Sequence, residues 1–319
     1  MSMPASADGL LLWTGFIAFV LAMLALDLGV FHRQAHALKP REAALWTAVW
    51  VALALAFAGG LHVMRDGAAS VTFLTGYLLE QSLSADNIFV IVLIFSYFGV
   101  RRESQHRVLF YGILGALVLR GLFIGLGAAL LARFHWILYV FGAMLVITGT
   151  RMAFQDEAAT FDGEKNLVVR VVQRLVPLSG RYHGERFFAV ENARRVATPL
   201  FLVLVLIEFT DLLFAIDSIP AVFGVTRDPF IVFTSNIFAV LGLRSLFFLL
   251  ANVVDRFHLL RYGLAAVLAF IGVKMLGDRW IELPVWTSLA VIVAVLSVSV
   301  AASLRWPARP APAHRGPAA

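Results

Sequence analysis

Six carboxylates stand inside apolar stretches of this sequence, where few neighbouring groups can stabilise a charge. They are Asp27, Glu80, Asp86, Glu208, Asp211 and Asp217. Arg120 and Arg244 are basic residues in the same kind of surroundings. An ionised side chain in hydrocarbon costs roughly 2.5–3.5 kcal/mol on an insertion scale, so these groups must pair, take up protons or bind a cation. Because two arginines cannot neutralise six carboxylates, we expect some of the acids to be protonated or to hold a metal ion.

The spacing of the acids is the same in two of these stretches. Glu80 and Asp86 are six residues apart, and so are Asp211 and Asp217. On a straight helix, six positions separate two side chains by roughly 120°. Either each acid of a pair faces a different neighbour, or the helix breaks between the two acids so that both reach one ion.

Three features favour a break in both helices. The apolar stretches 70–98 and 197–225 would each be roughly 43 Å long as helices, against about 30 Å for the hydrocarbon core of a bilayer. Pro220 removes a backbone donor three residues after Asp217. Ser82 and Ser84 can bond backbone groups that a break would free. We therefore predict discontinuous helices around both acid pairs, with backbone carbonyls as further ligands.

The remaining ligand candidates near the acids are also oxygen atoms. They belong to the amide of Asn87 and the hydroxyls of Ser84 and Ser218. Oxygen ligands suit Mg²⁺, Ca²⁺ or Mn²⁺, and the absence of cysteine excludes thiolate sites for copper, zinc or iron. His135 and His258 lie at the ends of apolar stretches, which disfavours a histidine site near the membrane centre.

Not every acid is expected to bind metal. Arg120 and Arg244 are predicted to pair with some of the carboxylates in a supporting role, and Glu208 is the weakest ligand candidate. Burial and like charges favour the neutral form of a carboxylic acid, whereas an arriving cation favours the ionised form. A site that exchanges a divalent ion for protons needs no other chemistry. The sequence contains no nucleotide-binding motif, and we expect no enzymatic activity and no permanently bound cofactor.

The elements that must hold these side chains are membrane-spanning helices. Of the 319 residues, 61% are hydrophobic and 14% are charged, against roughly 45–50% and 25% in soluble domains. Runs of about 20 apolar residues match the thickness of a bilayer core. The predicted spans are 10–31, 43–61, 70–98, 107–132, 135–153, 197–225, 229–253, 257–276 and 284–303. The sequence therefore predicts one membrane domain over residues 1–319, an all-α, polytopic bundle of about nine spans.

Arginine and lysine are unevenly distributed between the two sides of the predicted bundle. One side carries only Arg65, Arg133, Arg227 and Arg279 in its connections, whereas most of the other basic residues lie on the opposite side or in the C-terminal tail. The positive-inside rule then places the N-terminus outside and the C-terminus in the cytoplasm. The net charge of +6 is thus a topology signal directed at the lipid bilayer and does not indicate nucleic-acid binding.

Two parts of the chain resemble each other. The aligned ranges are 108–123 with 232–247 and 80–88 with 211–219. This register aligns Arg120 with Arg244. Each copy contains three spans, 70–153 in the first and 197–276 in the second, so the second copy enters the membrane from the opposite side. Inverted repeats are typical of secondary transporters, whose substrate site lies near the midplane between the repeats.

Two segments are predicted to lie outside the membrane. Residues 154–196 form a cytoplasmic connector, within which Val168 to Leu178 mixes valine, leucine and arginine and is expected to lie on the membrane surface. Residues 304–319 are rich in proline and alanine and are expected to form a disordered tail.

The two acidic segments resemble the signature segments of the TerC family of integral membrane proteins. They are 80–90, EQSLSADNIFV, and 208–221, EFTDLLFAIDSIPA. The stretch 26–33, LDLGVFHR, and Thr198-Pro199 also fit the family. The resemblance extends over roughly residues 10–303.

The resemblance implies a polytopic protein of the bacterial inner membrane, related to the LysE-type transporters. Members of the family are associated with manganese efflux and, by name, with tellurium resistance. The resemblance also implies that an ion path is lined by Asp27, Glu80, Asp86, Asn87, Asp211 and Asp217. Mn²⁺ is the substrate it implies, although oxygen ligands alone do not select Mn²⁺ over Mg²⁺ or Ca²⁺.

Three functions compete for these residues. The first is a secondary transporter that exports Mn²⁺, in exchange for protons. The second is a membrane scaffold that binds metal without moving it, in a tellurium-resistance or membrane-protein assembly complex. The third, an intramembrane aspartyl protease, is disfavoured because the sequence lacks a Gly-x-Gly-Asp segment. Assembly with further copies of the chain or with other membrane proteins stays open.

Overall fold

The computed structural model describes residues 7–31, 40–154, 166–191, 194–251, 257–280 and 283–306, with backbone alone for residues 7–8 and 26–31. Nearly all of the described chain is helical, and the predicted all-α membrane bundle is confirmed. The helices are α1 (Ala7–Phe31), α2 (Pro40–Met64), α3 (Gly67–Tyr97), α4 (Arg102–Arg133), α5 (Ile137–Phe154), α6 (Leu167–Leu175), α7 (Pro199–Phe223), α8 (Pro229–Leu250), α9 (Leu260–Leu276) and α10 (Val285–Arg305). Every predicted span corresponds to one of these helices.

Seven of the described helices are long and apolar enough to cross a membrane: α2, α3, α4, α5, α7, α8 and α10. α1 has 25 residues, of which residues 9–25 have described side chains and are apolar, and α9 has 17 residues. The chain is therefore a multi-pass membrane protein. The count of nine spans stays a prediction.

The predicted breaks in the two acidic helices are wrong. α3 runs unbroken over 31 residues and α7 over 25 residues. An intact helix satisfies its backbone groups internally, which is worth most where no water is available. Pro220 lies inside α7 without ending it, and Ser82 donates to the Leu78 carbonyl at 2.6 Å within the intact helix. The acids of each pair therefore point in different directions.

The centre of the bundle is formed by α3, α4, α7 and α8. α3 packs against α7 and α8, and α4 packs against the same two helices. α8 is the most enclosed of the candidate spans, because 94% of an apolar stretch of 18 residues within it is buried. α2 covers α3 and α8, whereas α10 covers α9 and α3. Polar side chains on the four central helices are thereby shielded from lipid.

α5 and α9 approach each other closely through glycine. A Cβ at Gly149 would lie 2.7 Å from the Ala265 carbonyl oxygen, and a Cβ at Gly272 would lie 2.6 Å from the Gly142 carbonyl oxygen. Gly149 and Gly272 are 123 residues apart, and so are Gly142 and Ala265. A pseudo-twofold axis between the copies would exchange these two contacts. The contacts favour the predicted inverted repeat.

The connector contains structure that the sequence did not predict. After α6, strands β1 (Phe188–Glu191) and β2 (Arg194–Ala197) form an antiparallel hairpin, in which Phe188 pairs with Ala197. α6 overlaps the segment predicted to lie on the membrane surface, and its Val169 and Val172 are buried against the ends of α3, α4 and α7. The connector is thus folded onto the bundle. Residues 155–165 of the connector and 307–319 of the predicted tail lie outside the described residues.

Candidate functional site

Arg120 lies at the centre of a hydrogen-bonded network that joins α3, α4, α7 and α8. Its Nη1 donates to Glu80 Oε2 at 2.7 Å, its Nη2 to Asp211 Oδ1 at 2.9 Å and its Nε to Asp211 Oδ2 at 3.2 Å. Asn236 completes the network, since its Nδ2 donates to Glu80 Oε1 at 2.7 Å. The Arg120 and Glu80 side chains are each only 1% exposed. One acid from each predicted repeat is thus fixed by a single arginine.

Arg244, which the repeat aligns with Arg120, lies on the other side of Asp211. It borders a cavity of about 20 Å³ that is also lined by Asn87, Thr210 and Asp211. Asp211 therefore belongs to the Arg120 network and to this cavity at the same time. Asn87 and Asp211, both predicted from the sequence, are brought together here.

Asp86 and Asp217 lie outside the Arg120 network, and both are half-buried. Asp217 Oδ1 accepts a hydrogen bond from Thr148 Oγ1 of α5 at 3.0 Å. Asp86 makes no hydrogen bond or ion pair to any residue that the structure describes, although the charge of Arg261 on α9 acts on it electrostatically. Asp86 and Asp217 are therefore held by fewer polar contacts than Glu80 and Asp211.

Buried side-chain oxygens without a hydrogen-bond donor are confined to the two acidic helices. Within the described chain they are Gln81 Oε1 and Asn87 Oδ1 on α3, and Glu208 Oε2 and Ser218 Oγ on α7. Asn87 and Ser218 occupy equivalent positions in the predicted repeat, each directly after an aspartate. Leaving a buried polar atom unpaired costs roughly 1–3 kcal/mol. Such atoms are available to a ligand that supplies the missing contact.

Glu208 reaches its position because α4 has a glycine opposite it. A Cβ at Gly115 would overlap the Glu208 carboxylate, so the acid rests directly on the α4 backbone. Glu208 precedes Asp211 by three residues, which is about one helical turn. This acid, the weakest ligand candidate from sequence, is therefore part of the central polar region.

The predicted ligands that the structure describes do not form one cluster of acids. Among the described side chains, no group of three or more His, Cys, Asp or Glu residues is placed to hold a metal ion. The side chain of Asp27, in α1, lies outside the described residues. Ser84 is buried on α3, 1% exposed. A common ligand shell for Asp86 and Asp217 stays a prediction.

Two residues of the polar region were missed by sequence reasoning, Thr148 and Asn236. Both are uncharged polar residues within apolar spans, and neither is adjacent in sequence to one of the six acids. Asn236 is fully buried. The signal in the sequence that indicates both residues is a polar side chain inside an apolar span.

Comparison with known proteins identifies the family. The sequence pattern of the "Integral membrane protein TerC family" matches residues 65–310. The chain belongs to the TerC family. The match includes α3 to α10 almost completely, and with them every side chain of the Arg120 network.

Relatives within the TerC family share most of their length with this chain. Membrane protein STKORF319 of Myxococcus xanthus is 53% identical over 293 residues, 92% of each chain. The Escherichia coli protein Alx, whose name describes a candidate membrane-bound redox modulator, is 48% identical over 295 residues, 90% of this chain and 92% of Alx. A membrane protein of Rickettsia bellii is 38% identical over 294 residues, 92% of this chain and 96% of its own. No solved structure matches the chain.

Proposed function

We propose that this protein is a secondary transporter that exports a divalent metal ion, with Mn²⁺ as the substrate, across the bacterial inner membrane in exchange for protons. The observation that supports it most is a pair of unpartnered buried oxygens, Asn87 Oδ1 on α3 and Ser218 Oγ on α7, whose residues directly follow Asp86 and Asp217 in sequence. Hard oxygen atoms are the ligands that Mn²⁺, Mg²⁺ and Ca²⁺ prefer. The family resemblance selects Mn²⁺ among them.

The Arg120 network divides the acids into two groups. Glu80 and Asp211 are neutralised in part by Arg120 and tie four helices together. Asp86, Asp217 and Glu208 form no ion pair with the basic side chains that the structure describes. A cation that displaces protons from acids of the second group is exchanged for them without ATP. In this proposal Glu80 and Asp211 support the path, and Asp86 and Asp217 bind the ion.

The orientation follows the distribution of arginine, with the N-terminus outside and the C-terminus in the cytoplasm. α6 and the β1–β2 hairpin then lie on the cytoplasmic side. Export requires that the ion reach Asp86 and Asp217 from that side and leave towards the opposite one.

A metal-binding scaffold is the second candidate, and one observation favours it. The described acids do not form a ready three-ligand metal site, and two of them are fixed by Arg120. A scaffold in a tellurium-resistance or assembly complex would need such a fixed polar core and no ion path.

The name of the Alx relatives suggests a link to redox balance. This chain contains no cysteine, so its own side chains offer no thiol–disulfide exchange. We propose that any such link runs through the concentration of the exported metal.

Reconstitution separates the transporter from the scaffold. Purified protein is reconstituted into liposomes that contain a dye whose fluorescence is quenched by Mn²⁺. Mn²⁺ is then added outside, and a pH gradient is imposed in either direction. A transporter gives quenching that depends on the protein and responds to the gradient. Quenching equal to that of empty liposomes under every gradient overturns the transport proposal and leaves the scaffold.

A further inference from the structure

A groove of about 1050 Å³ lies beside the β1–β2 hairpin of the connector. Its wall includes three apolar side chains, Val176, Phe188 and Val190, and two arginines, Arg186 and Arg195. Val176 directly follows α6, so the groove borders both structured parts of the connector. None of its lining residues belongs to the Arg120 network or to the acids of the spans.

One face of the hairpin carries both kinds of side chain. Val190 of β1 pairs directly with Arg195 of β2, and Phe188 lies two residues before Val190. Opposed residues, and residues two apart on one strand, project from the same face of a sheet. Phe188 is 53% exposed and Val190 is 69% exposed, and Arg195 is exposed as well. Such a face fits an amphiphilic anion, which has a charged end and an apolar part.

The two arginines of the groove are available to an anionic ligand. Arg186 and Arg195 form no ion pair with the acidic side chains that the structure describes. Glu185 and Glu191 each already contact a basic side chain, at 3.8 Å and 2.8 Å. The described part of the connector carries six arginines and only these two acids. The electrostatic potential in the groove therefore favours a negative ligand.

Aromatic contacts indicate that the hairpin lies at the level of the lipid headgroups. The Phe187 ring lies edge-on to Tyr111 of α4, with centroids 5.2 Å apart, and the Phe188 ring contacts Phe201 of α7 at 4.8 Å. Tyr111 and Phe201 each lie four residues after the start of a predicted span. Aromatic side chains near span ends are typical of the interface between membrane and water. The arginine distribution assigns this interface to the cytoplasmic leaflet.

We propose that this groove binds an anionic phospholipid of the cytoplasmic leaflet, with the headgroup phosphate between Arg186 and Arg195 and an acyl chain along Phe188 and Val190. Arginine matches phosphate oxygens with its planar fork of donors. The apolar wall contacts the chain, which a free phosphate compound lacks. A bound lipid fastens the connector to the membrane beside α4 and α7. This binding is separate from the ion path and does not depend on the proposed transport.

Native mass spectrometry of the full-length protein measures the binding of lipid directly. Purified protein in detergent is titrated with phosphatidylglycerol or with phosphatidylcholine, and the bound lipid is counted from the mass of the complex. One arginine next to an anionic lipid provides about a fivefold preference. We therefore expect the wild type to bind its first phosphatidylglycerol at least about fivefold more tightly than phosphatidylcholine. Arg186→Gln combined with Arg195→Gln should remove this preference.

The matched control is Arg181→Gln combined with Arg194→Gln. It removes the same charge from the connector, but neither residue lines the groove, so the preference for phosphatidylglycerol should persist. All four arginines are exposed, and both double variants are expected to unfold at the temperature of the wild type. Val190→Ser removes part of the apolar wall and should weaken phosphatidylglycerol binding at least about threefold.

Four results would overturn the lipid site. The first is equal affinity for phosphatidylglycerol in the two double variants, and the second is a wild type that binds both lipids equally. The third is complete displacement of the lipid by an equal concentration of glycerophosphoglycerol, the headgroup without its chains, which would assign the groove to a free phosphate compound. The fourth is a protein dimer that dissociates in the groove variant while lipid binding stays the same, which would assign this face to a second copy of the chain.

Discussion

Arg120 of α4 holds Asp211 of α7 in a two-pronged hydrogen bond, with Nη2 to Oδ1 at 2.9 Å and Nε to Oδ2 at 3.2 Å. The same guanidinium binds Glu80 of α3. A single buried cation thereby links the two halves of the predicted repeat and supplies the counter-charge of two carboxylates.

Loss of Arg120 is expected to destabilise the bundle strongly. Arg120→Ala leaves Glu80 and Asp211 buried without their counter-charge, and breaking a buried pair in this way typically costs about 3–5 kcal/mol. The control is Arg65→Ala, which removes an ion pair to Asp228 whose side chains are 27% and 33% exposed and which is expected to cost at most about 1 kcal/mol. Thermal unfolding in detergent measures both. Equal losses in the two variants would show that Arg120 does not hold the helices together.

Arg120→Lys is expected to rescue the fold only in part. A lysine supplies the charge but cannot donate to Asp211 through two fixed nitrogens while also reaching Glu80. Its unfolding temperature should lie between those of the wild type and Arg120→Ala.

The hydroxyl of Thr148 is expected to tune the ion affinity of Asp217. Thr148→Val keeps the shape of the side chain and removes the donor to Asp217 Oδ1. A hydrogen bond to a charged group contributes about 1.5–3 kcal/mol, so the concentration for half-maximal Mn²⁺ flux should change at least about tenfold. Thr150→Val is the matched control, because Thr150 donates to the Val146 carbonyl and is exposed. The same shift in both variants would remove Thr148 from the ion site.

The β1–β2 hairpin is expected to loosen in acid. A hydrogen bond from Ser179, together with the contact to His183, lowers the pKa of the Glu191 carboxyl from its ordinary value of 4.5. A lowered pKa in the folded state contributes stability above the ordinary pKa, and this stability is lost as the pH falls through the folded value. Amide-exchange protection in both strands should therefore decline in the wild type as the pH falls below the ordinary pKa of 4.5. Glu191→Gln should show low protection throughout, and a wild-type hairpin with unchanged protection in acid would contradict this role.

The orientation can be tested with single cysteines, because the chain has none of its own. Gly180 lies in the connector with nothing within 4 Å of its Cβ position, and Trp280 follows α9 and is 79% exposed. A membrane-impermeant maleimide added to intact spheroplasts should label Trp280→Cys and spare Gly180→Cys. The reverse pattern would invert the orientation.

The elements could be predicted from the sequence because each span is a continuous apolar run, and the charged residues inside the spans could be predicted because a charge in such a run is costly. The continuity of the two acidic helices, α3 and α7, could not be predicted in this way. Pro220 and the serines of α3 suggested a break, but the backbone of α3 and α7 is better satisfied without one. A proline removes one backbone donor and can bend a helix without ending it, so Pro220 within an apolar run does not by itself predict a break.

The sequence also could not predict which arginine each acid pairs with. Arg120 and Arg244 aligned as equivalents, which suggested one arginine for each repeat, yet Arg120 binds an acid from both. The copies also differ where Gly112 of the first aligns with Asn236 of the second, whose amide donates to Glu80. Packing between helices that are distant in sequence decides which arginine an acid meets.

The central claim is that Asp86 and Asp217 bind a cation that crosses the bundle, and Mn²⁺ flux into liposomes carrying variants at these positions tests it most directly. Asp86→Asn and Asp217→Asn remove the charge with little change in shape, and Asp278→Asn removes an exposed acid paired with Arg227. The account predicts pH-dependent flux in the wild type and in Asp278→Asn, and none in Asp86→Asn or Asp217→Asn although both insert and purify normally. Undiminished flux in Asp86→Asn and Asp217→Asn would contradict it.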